Sequence, residues 1–172
     1  MKTIKHSDDN RSSVAKYSDC GHYRYALTRV WEPGGPIVNF VMLNPSVADA
    51  EKNDPTVERC ERRARRMGFA GFSVTNIFAW RDTDPFKMRK ARHPIGPEND
   101  RILLDSAAQA DIVIAAWGAH GAHLNRGPAV HQLFVANAID LHHLGLTKQH
   151  HPRHPLYVPY DRLPRPWATA AG

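Results

Sequence analysis

The chain has 172 residues, enough for one domain that buries its own core without staples. Its two cysteines, Cys20 and Cys60, lie far apart and in no CxxC pair, which excludes a disulfide framework and a cysteine-rich zinc site. A formal net charge of +6 with the histidines uncounted favours polyanionic partners, while the lack of any long apolar run leads us to expect a cytoplasmic protein without signal peptide or membrane span.

Residues 1–20 are polar and are expected to form a flexible N-terminal segment, followed by a single α/β domain over 21–163 and a tail over 164–172. Tyr23 to Trp31 alternates like a strand, and Glu32-Pro33-Gly34-Gly35-Pro36 turns into the apolar run Ile37 to Leu43, so the two strands read as a hairpin. Asn44-Pro45-Ser46 ends that run abruptly. Asp54-Pro55 starts a helix reaching about Met67, with Val57, Cys60, Ala64 and Met67 on its apolar face and Arg59, Arg62, Arg63, Arg65 and Arg66 pointing elsewhere.

Gly71 to Trp80 is a second buried strand. Asp84-Pro85 opens a short basic helix to about Ala91, and Gly96-Pro97 opens another through Ala108. Asp111 to Trp117 is a third buried strand. A helix begins at Gly127-Pro128, and Leu141 to Leu144 supplies a fourth core strand. The order β-β-α-β-α-α-β-α-β predicts a three-layer α/β/α sandwich with a mainly parallel central sheet.

In such a sheet the carboxyl ends of the strands lie side by side, where open α/β folds place their ligands. Four segments would then converge on one cleft: Asn44, Pro45, Ser46 and Asp49; Asn76, Phe78, Trp80 and Arg81; Trp117, Gly118 and His120; and the basic loop with Lys148, His151, Arg153 and His154. Plainer readings stand beside this one. Asn44-Pro45 is also a good turn, Asp54 is accounted for as a helix cap, and Trp117 suits a core as well as a stacking platform.

Arg59, Arg62, Arg63 and Arg66 read either as a solvated helix face or as a track for nucleic-acid phosphates. His120-x-x-His123 raises a metal site, but Gly118 and Gly121 place it in a loop without a third ligand at a recognisable spacing, so neither metal nor cofactor is expected. There is no phosphate-loop, dinucleotide-binding or nucleophile-elbow motif, which disfavours ordinary kinases, nicotinamide-dependent dehydrogenases and serine hydrolases.

Seven ordered motifs carry a family resemblance. They are Tyr25-x-Leu27-x-Arg29-x-Trp31, Met42-Leu43-Asn44-Pro45-Ser46-x-Ala48-Asp49, Asn53-Asp54-Pro55-Thr56, Asn76-Ile77-Phe78-Ala79, Gly96-Pro97-Glu98-Asn99-Asp100, Ala116-Trp117-Gly118 and Arg153-His154-Pro155-Leu156-Tyr157. Together they resemble the bacterial and phage domain-of-unknown-function family 1643, a likeness that brings no activity with it. More distantly, Asp111 to Gly121 resembles the strand and Trp-Gly-x-x-Ala turn of uracil-DNA glycosylases. His154-Pro155 is similar to their His-Pro loop, and Leu43-Asn44-Pro45-Ser46 to the Asn-Pro-Gly motif of the mismatch-specific branch.

The distant resemblance implies a uracil-DNA-glycosylase-like fold and metal-independent hydrolysis of N-glycosidic bonds in nucleic acid or nucleotides. Asn44 would orient water or read the base, Asp49 or Asp54 would activate the water, and His151 or His154 would stabilise the departing base. Trp117, Trp80 and Phe78 would be the platforms for a flipped base. Arg153 departs from the pattern, standing where the glycosylase motif has serine. The alternatives are a non-catalytic nucleic-acid or nucleotide-binding module, and a nucleotide- or nucleoside-processing enzyme with a histidine-bound metal.

Overall fold

The structure is a computed structural model that describes residues 1–168. Eight strands form one mixed sheet: β1 (Lys2–Ser7), β2 (Ser12–Tyr17), β3 (Arg24–Val30), β4 (Ile37–Met42), β5 (Gly71–Asn76), β6 (Ile112–Ala115), β7 (Leu141–His143) and β8 (Arg165–Pro166). Their order across the sheet is β1-β2-β3-β5-β4-β6-β7-β8. Among the described residues the α-helices are α1 (Pro55–Arg66), α2 (Pro85–Lys90), α3 (Asn99–Ala108) and α4 (Arg126–Ala136). No helix among the described residues is long and apolar enough to cross a membrane.

A parallel centre forms because β4 is apolar on both faces. Val38, Phe40 and Met42 pack on one side, against Val57, Cys60 and Ala64 of α1, while Val41 joins Leu103 of α3 and Val130 and Phe134 of α4 on the other. A strand buried on both sides belongs in the middle, and β4 pairs in parallel with β5 and β6, with β7 next in line.

The expected mainly parallel, uracil-glycosylase-like sandwich is not what the chain builds. Four of the seven strand pairings are antiparallel: β1 with β2, β2 with β3, β3 with β5, and β7 with β8. Two features hid this. The segment over residues 1–20, expected to fray, supplies the β1–β2 hairpin, whose inward residues Ser13, Ala15 and Tyr17 keep the strand period behind a polar composition. The expected hairpin between β3 and β4 does not form either, because β5 inserts between them and pairs with both. Of the expected tail, Arg165 and Pro166 close the far edge as β8, and residues 169–172 lie outside the described residues.

Helix α1 begins as its sequence predicts, with the Asp54 carboxylate accepting the Val57 N–H at 2.9 Å and Pro55 in the first turn. Its arginines are a different matter. Arg63 is fully buried and donates to the carbonyls of Val158, Pro159 and Arg162. Arg59 donates to those of Pro155 and Val158, and both guanidinium groups lie over the Tyr160 ring. Arg62 pairs with Glu58, and Arg65 pairs with Glu61 and stacks on Trp31.

The phosphate-tracking face expected from Arg59, Arg62, Arg63 and Arg66 is therefore mostly spent. Residues 155–162 cover that side of the helix, and their carbonyls need the planar fork of donors that arginine offers. Replacing Arg63 with leucine is expected to cost about 2–4 kcal/mol, since three carbonyls lose a charged donor. Chemical denaturation gives the loss, and amide exchange should show early opening over residues 155–162.

Candidate functional site

The loops at the carboxyl ends of β4, β5 and β6 enclose a cleft of about 810 Å³ with the start of α1 and the 147–157 segment. Asn44, Ser46, Asp54, Asn76, Trp117, Gly118, His120, Arg153 and His154 all line it. Four separately predicted segments thus reach one site, and Asn44 and His154 share the cavity as anticipated.

Gly118 explains how the late loop is brought there. Its φ of +72° and extended ψ suit only glycine, and its N–H binds the Pro152 carbonyl at 2.8 Å, which draws residues 152–154 onto the end of β6. His154 then caps the short turn Pro155–Tyr157, its Nδ1 accepting the Leu156 N–H at 3.3 Å. A ring nitrogen that accepts an amide proton carries none, so the neutral ring bears its proton on Nε2. Burial pushes the His154 pKa down to about 4, against the opposing pull of the Asp54 carboxylate. At neutral pH His154 is an uncharged hydrogen-bond donor.

Asn44 is oriented by the backbone around it. Its Nδ2 donates to the Asp82 carbonyl at 2.9 Å, with the Pro45 and Trp80 carbonyls also close, so the amide nitrogen is committed and Oδ1 is a fixed acceptor. Asp54 is 7% exposed and lines the cleft, but its oxygens take the N–H groups of Val57 and Ala48. The helix-cap reading accounts for it.

Asn76, at the end of β5, is the outstanding polar group. Its side chain is 1% exposed, and neither its Oδ1 nor its Nδ2 has a hydrogen-bond partner, although its main-chain carbonyl is held by Asn99. An amide buried without partners costs on the order of 1–3 kcal/mol. Its place on the cleft wall supplies a reason to keep it.

Other predicted residues lie elsewhere. Asp49 caps its own turn, its Oδ1 accepting the N–H groups of Glu51 and Lys52, and those bonds lower its pKa. His151, Lys148, Pro45 and Arg81 do not line the cleft; Arg81 instead donates to the Gly21 carbonyl and lies over Tyr17. Ile77 and Phe78 continue the pairing with Met42 and Leu43, which carries Phe78 into the core against His123 and sends Trp80 on to stack with His22.

Trp117 touches the cleft, but its ring is wedged between Gly121 and Gly127. A Cβ on Gly121 would sit 2.2 Å from the indole, so this face is packed shut. None of the three predicted stacking rings therefore offers an open face to the cleft. The accessible ring is Tyr157, 78% exposed at the rim.

The sequence reading missed Arg24 and Asp82 among the lining residues, while Thr147 and Tyr157, which also line it, are the two ends of the basic loop expected there. Asp82 sits beside Asn44, and only its Oδ1 is engaged, by the Asp84 N–H. Its signal lay in the aspartate-rich Arg81-Asp82-Thr83-Asp84 run. Among the described residues, no three histidine, cysteine, aspartate or glutamate side chains gather so as to hold a metal ion. Cys60 is also no nucleophile, because burial pushes its thiol up to about 12.

Fold and site together define an α/β domain with a polar, partly apolar-walled cleft at the carboxyl ends of parallel strands, the usual ligand position in open sheets. The chain belongs to the family described as "Protein of unknown function (DUF1643)", matched over residues 24–156. That span holds the parallel strands and nearly all of the cleft, and it leaves out β1, β2 and β8. No curated protein and no solved structure matches the chain.

Proposed function

We propose that the cleft binds a nucleobase and that the protein hydrolyses an N-glycosidic bond in a nucleotide or nucleic acid without a metal. The observation that carries this reading is Asn76, a buried amide on the cleft wall whose donor and acceptor are both unspent. A nucleobase edge offers an adjacent acceptor and donor in one plane, which is the complement of a carboxamide.

The remaining groups fit the chemistry. As the bond from sugar carbon to base nitrogen breaks, its electron pair moves onto the base, and the His154 Nε2–H stabilises the charge developing there. Asn44 Oδ1 holds a water for attack on the sugar carbon, and Asp82 takes the water's proton and passes it to the released base. The exposed Tyr157 ring offers a stacking surface.

A binding module without catalysis is the second reading. It is favoured by Asp49 lying off the cleft and by Asp54 being engaged as a cap, which leaves Asp82 alone to act as base. Release of free base from nucleosides, nucleotides and uracil- or hypoxanthine-containing oligonucleotides separates the two. Wild type should release base, and Asn44→Ala should slow release by roughly 100-fold. No release from any substrate rejects the hydrolase and leaves the module.

A further inference from the structure

The two buried arginines of β3 have opposite fates. Arg29 donates to the Asn53 side chain and to the carbonyls of Asp49, Ala50 and Lys52, so all three of its guanidinium nitrogens are engaged in holding the 49–53 loop. Arg24 is equally buried, at 1% exposed, but its single hydrogen bond runs from Nη1 to the Ala48 carbonyl at 2.7 Å. Its Nε has no partner, and among the described residues no carboxylate lies within ion-pairing distance. Burial lowers its pKa to about 10, which leaves it charged at neutral pH. A structural arginine would be expected to resemble Arg29.

Unlike Arg29, Arg24 lines the cleft, and the first turn of α1 opens on the same space through Pro55, Thr56 and Val57. Pro55 has no N–H and the Val57 N–H is taken by Asp54, so the Thr56 N–H is the first-turn donor left open, and the helix dipole adds positive potential there. The Asp54 carboxylate, whose charge acts on Arg24, also lines the cleft and has both oxygens on backbone N–H groups. Arg153, exposed, is a second arginine that lines the cavity.

We infer that Arg24, the α1 N-terminus and Arg153 form an anion subsite in this cleft, so that its ligand carries a phosphate or phosphodiester as well as a base. The inference rests on the nucleobase reading for the other half of the ligand, but its own evidence is separate. Asn76 and Arg24 come from neighbouring antiparallel strands, and both line the same cleft.

Titration calorimetry of the full chain with uridine, uridine 5′-monophosphate, ribose 5-phosphate and a short uridine oligonucleotide tests it. The monophosphate should bind wild type at least about 10-fold more tightly than uridine, as a charge-assisted phosphate contact allows. Arg24→Gln, which keeps a donor for the Ala48 carbonyl, should bring that ratio close to one. Arg24→Met provides the same reading if the glutamine variant fails to fold.

An oligonucleotide binding more tightly than the monophosphate assigns the subsite to a phosphodiester, and the reverse assigns it to a terminal phosphate. Equal binding of uridine and its monophosphate by wild type, or a ratio that survives substitution of Arg24, overturns the subsite. If ribose 5-phosphate binds in an Arg24-dependent way while uridine does not bind and Asn76→Leu changes nothing, the subsite stands and the nucleobase reading falls.

Discussion

Asn76→Leu should make the protein more stable and unable to bind its ligand. Leucine has the branched shape and the number of side-chain heavy atoms of asparagine, and its greater bulk can extend into the adjoining cleft; because it removes two buried polar atoms without partners, folding should gain roughly 1–2 kcal/mol. For a chain of this size each kcal/mol raises the melting temperature by about 2–4 °C. The hydrogen bond from Asn99 goes to the main-chain carbonyl of residue 76 and survives the change. Nucleotide affinity should fall about 100-fold, the loss of two hydrogen bonds to a desolvated edge. Thermal melting and calorimetry on one preparation check both parts, and a destabilised variant with unchanged affinity would show the amide to be structural.

His154 should reveal itself through pH in two ways. Its folded pKa of about 4 lies below the ordinary histidine value because burial disfavours the cation. Between pH 6.5 and 4 the unfolded chain therefore binds the extra proton. The stability owed to neutral His154 is fully present above pH 6.5 and drains away as the pH falls through that window, by up to about 3 kcal/mol. His154→Asn retains a side chain able to cap the 155–157 turn but has no proton to gain, so its stability curve should be flatter over this range.

Activity provides the second readout. A general base with an ordinary histidine pKa would give an acid limb near pH 6.5, whereas a neutral donor gives none until near pH 4. His154→Ala should lower kcat by roughly 10²–10³-fold, as removal of a preorganised donor does elsewhere. A wild-type acid limb near 6.5 that disappears in His154→Ala would reverse the assignment and make the histidine a base.

Local signals in the chain were read well where a residue's partner is close in sequence. Asp54-Pro55 and Asp84-Pro85 cap the helices they announce, and the apolar runs after residues 36, 70 and 111 became the parallel strands. Insertion of β5 between β3 and β4 was not legible, because the Pro-Gly turn at residues 33–36 looks the same whether the strands it joins pair or separate. The arginines of α1 were misread for a similar reason. Their partners are carbonyls some 95 to 99 residues downstream, and a main-chain acceptor carries no side-chain signature.

The site divides along the same line. The strand-end rule brought Asn44, Asn76, Gly118 and His154 to one cavity, because it needs only the three parallel pairings at the sheet's centre and not a mainly parallel sheet. It did not separate His154 from His151, which took the φ of +64° at His150 and the bond from Gly118 to Pro152. Nor did it reveal Arg24, whose strand lies outside the parallel set and runs the other way, so that its amino end faces the cleft.

That reversal has a consequence for how the protein comes into being. The cleft wall requires β3 to wait for β5 across an intervening strand and helix, and its far side requires a segment beyond residue 145 to return to α1. Each closure orders a long stretch of chain before any contact repays the entropy, which places these steps late in folding. The polar groups that are costly to bury are therefore enclosed after the apolar layers on β4 can form around them. A nascent chain completes the lining of this cleft only when synthesis has passed residue 157.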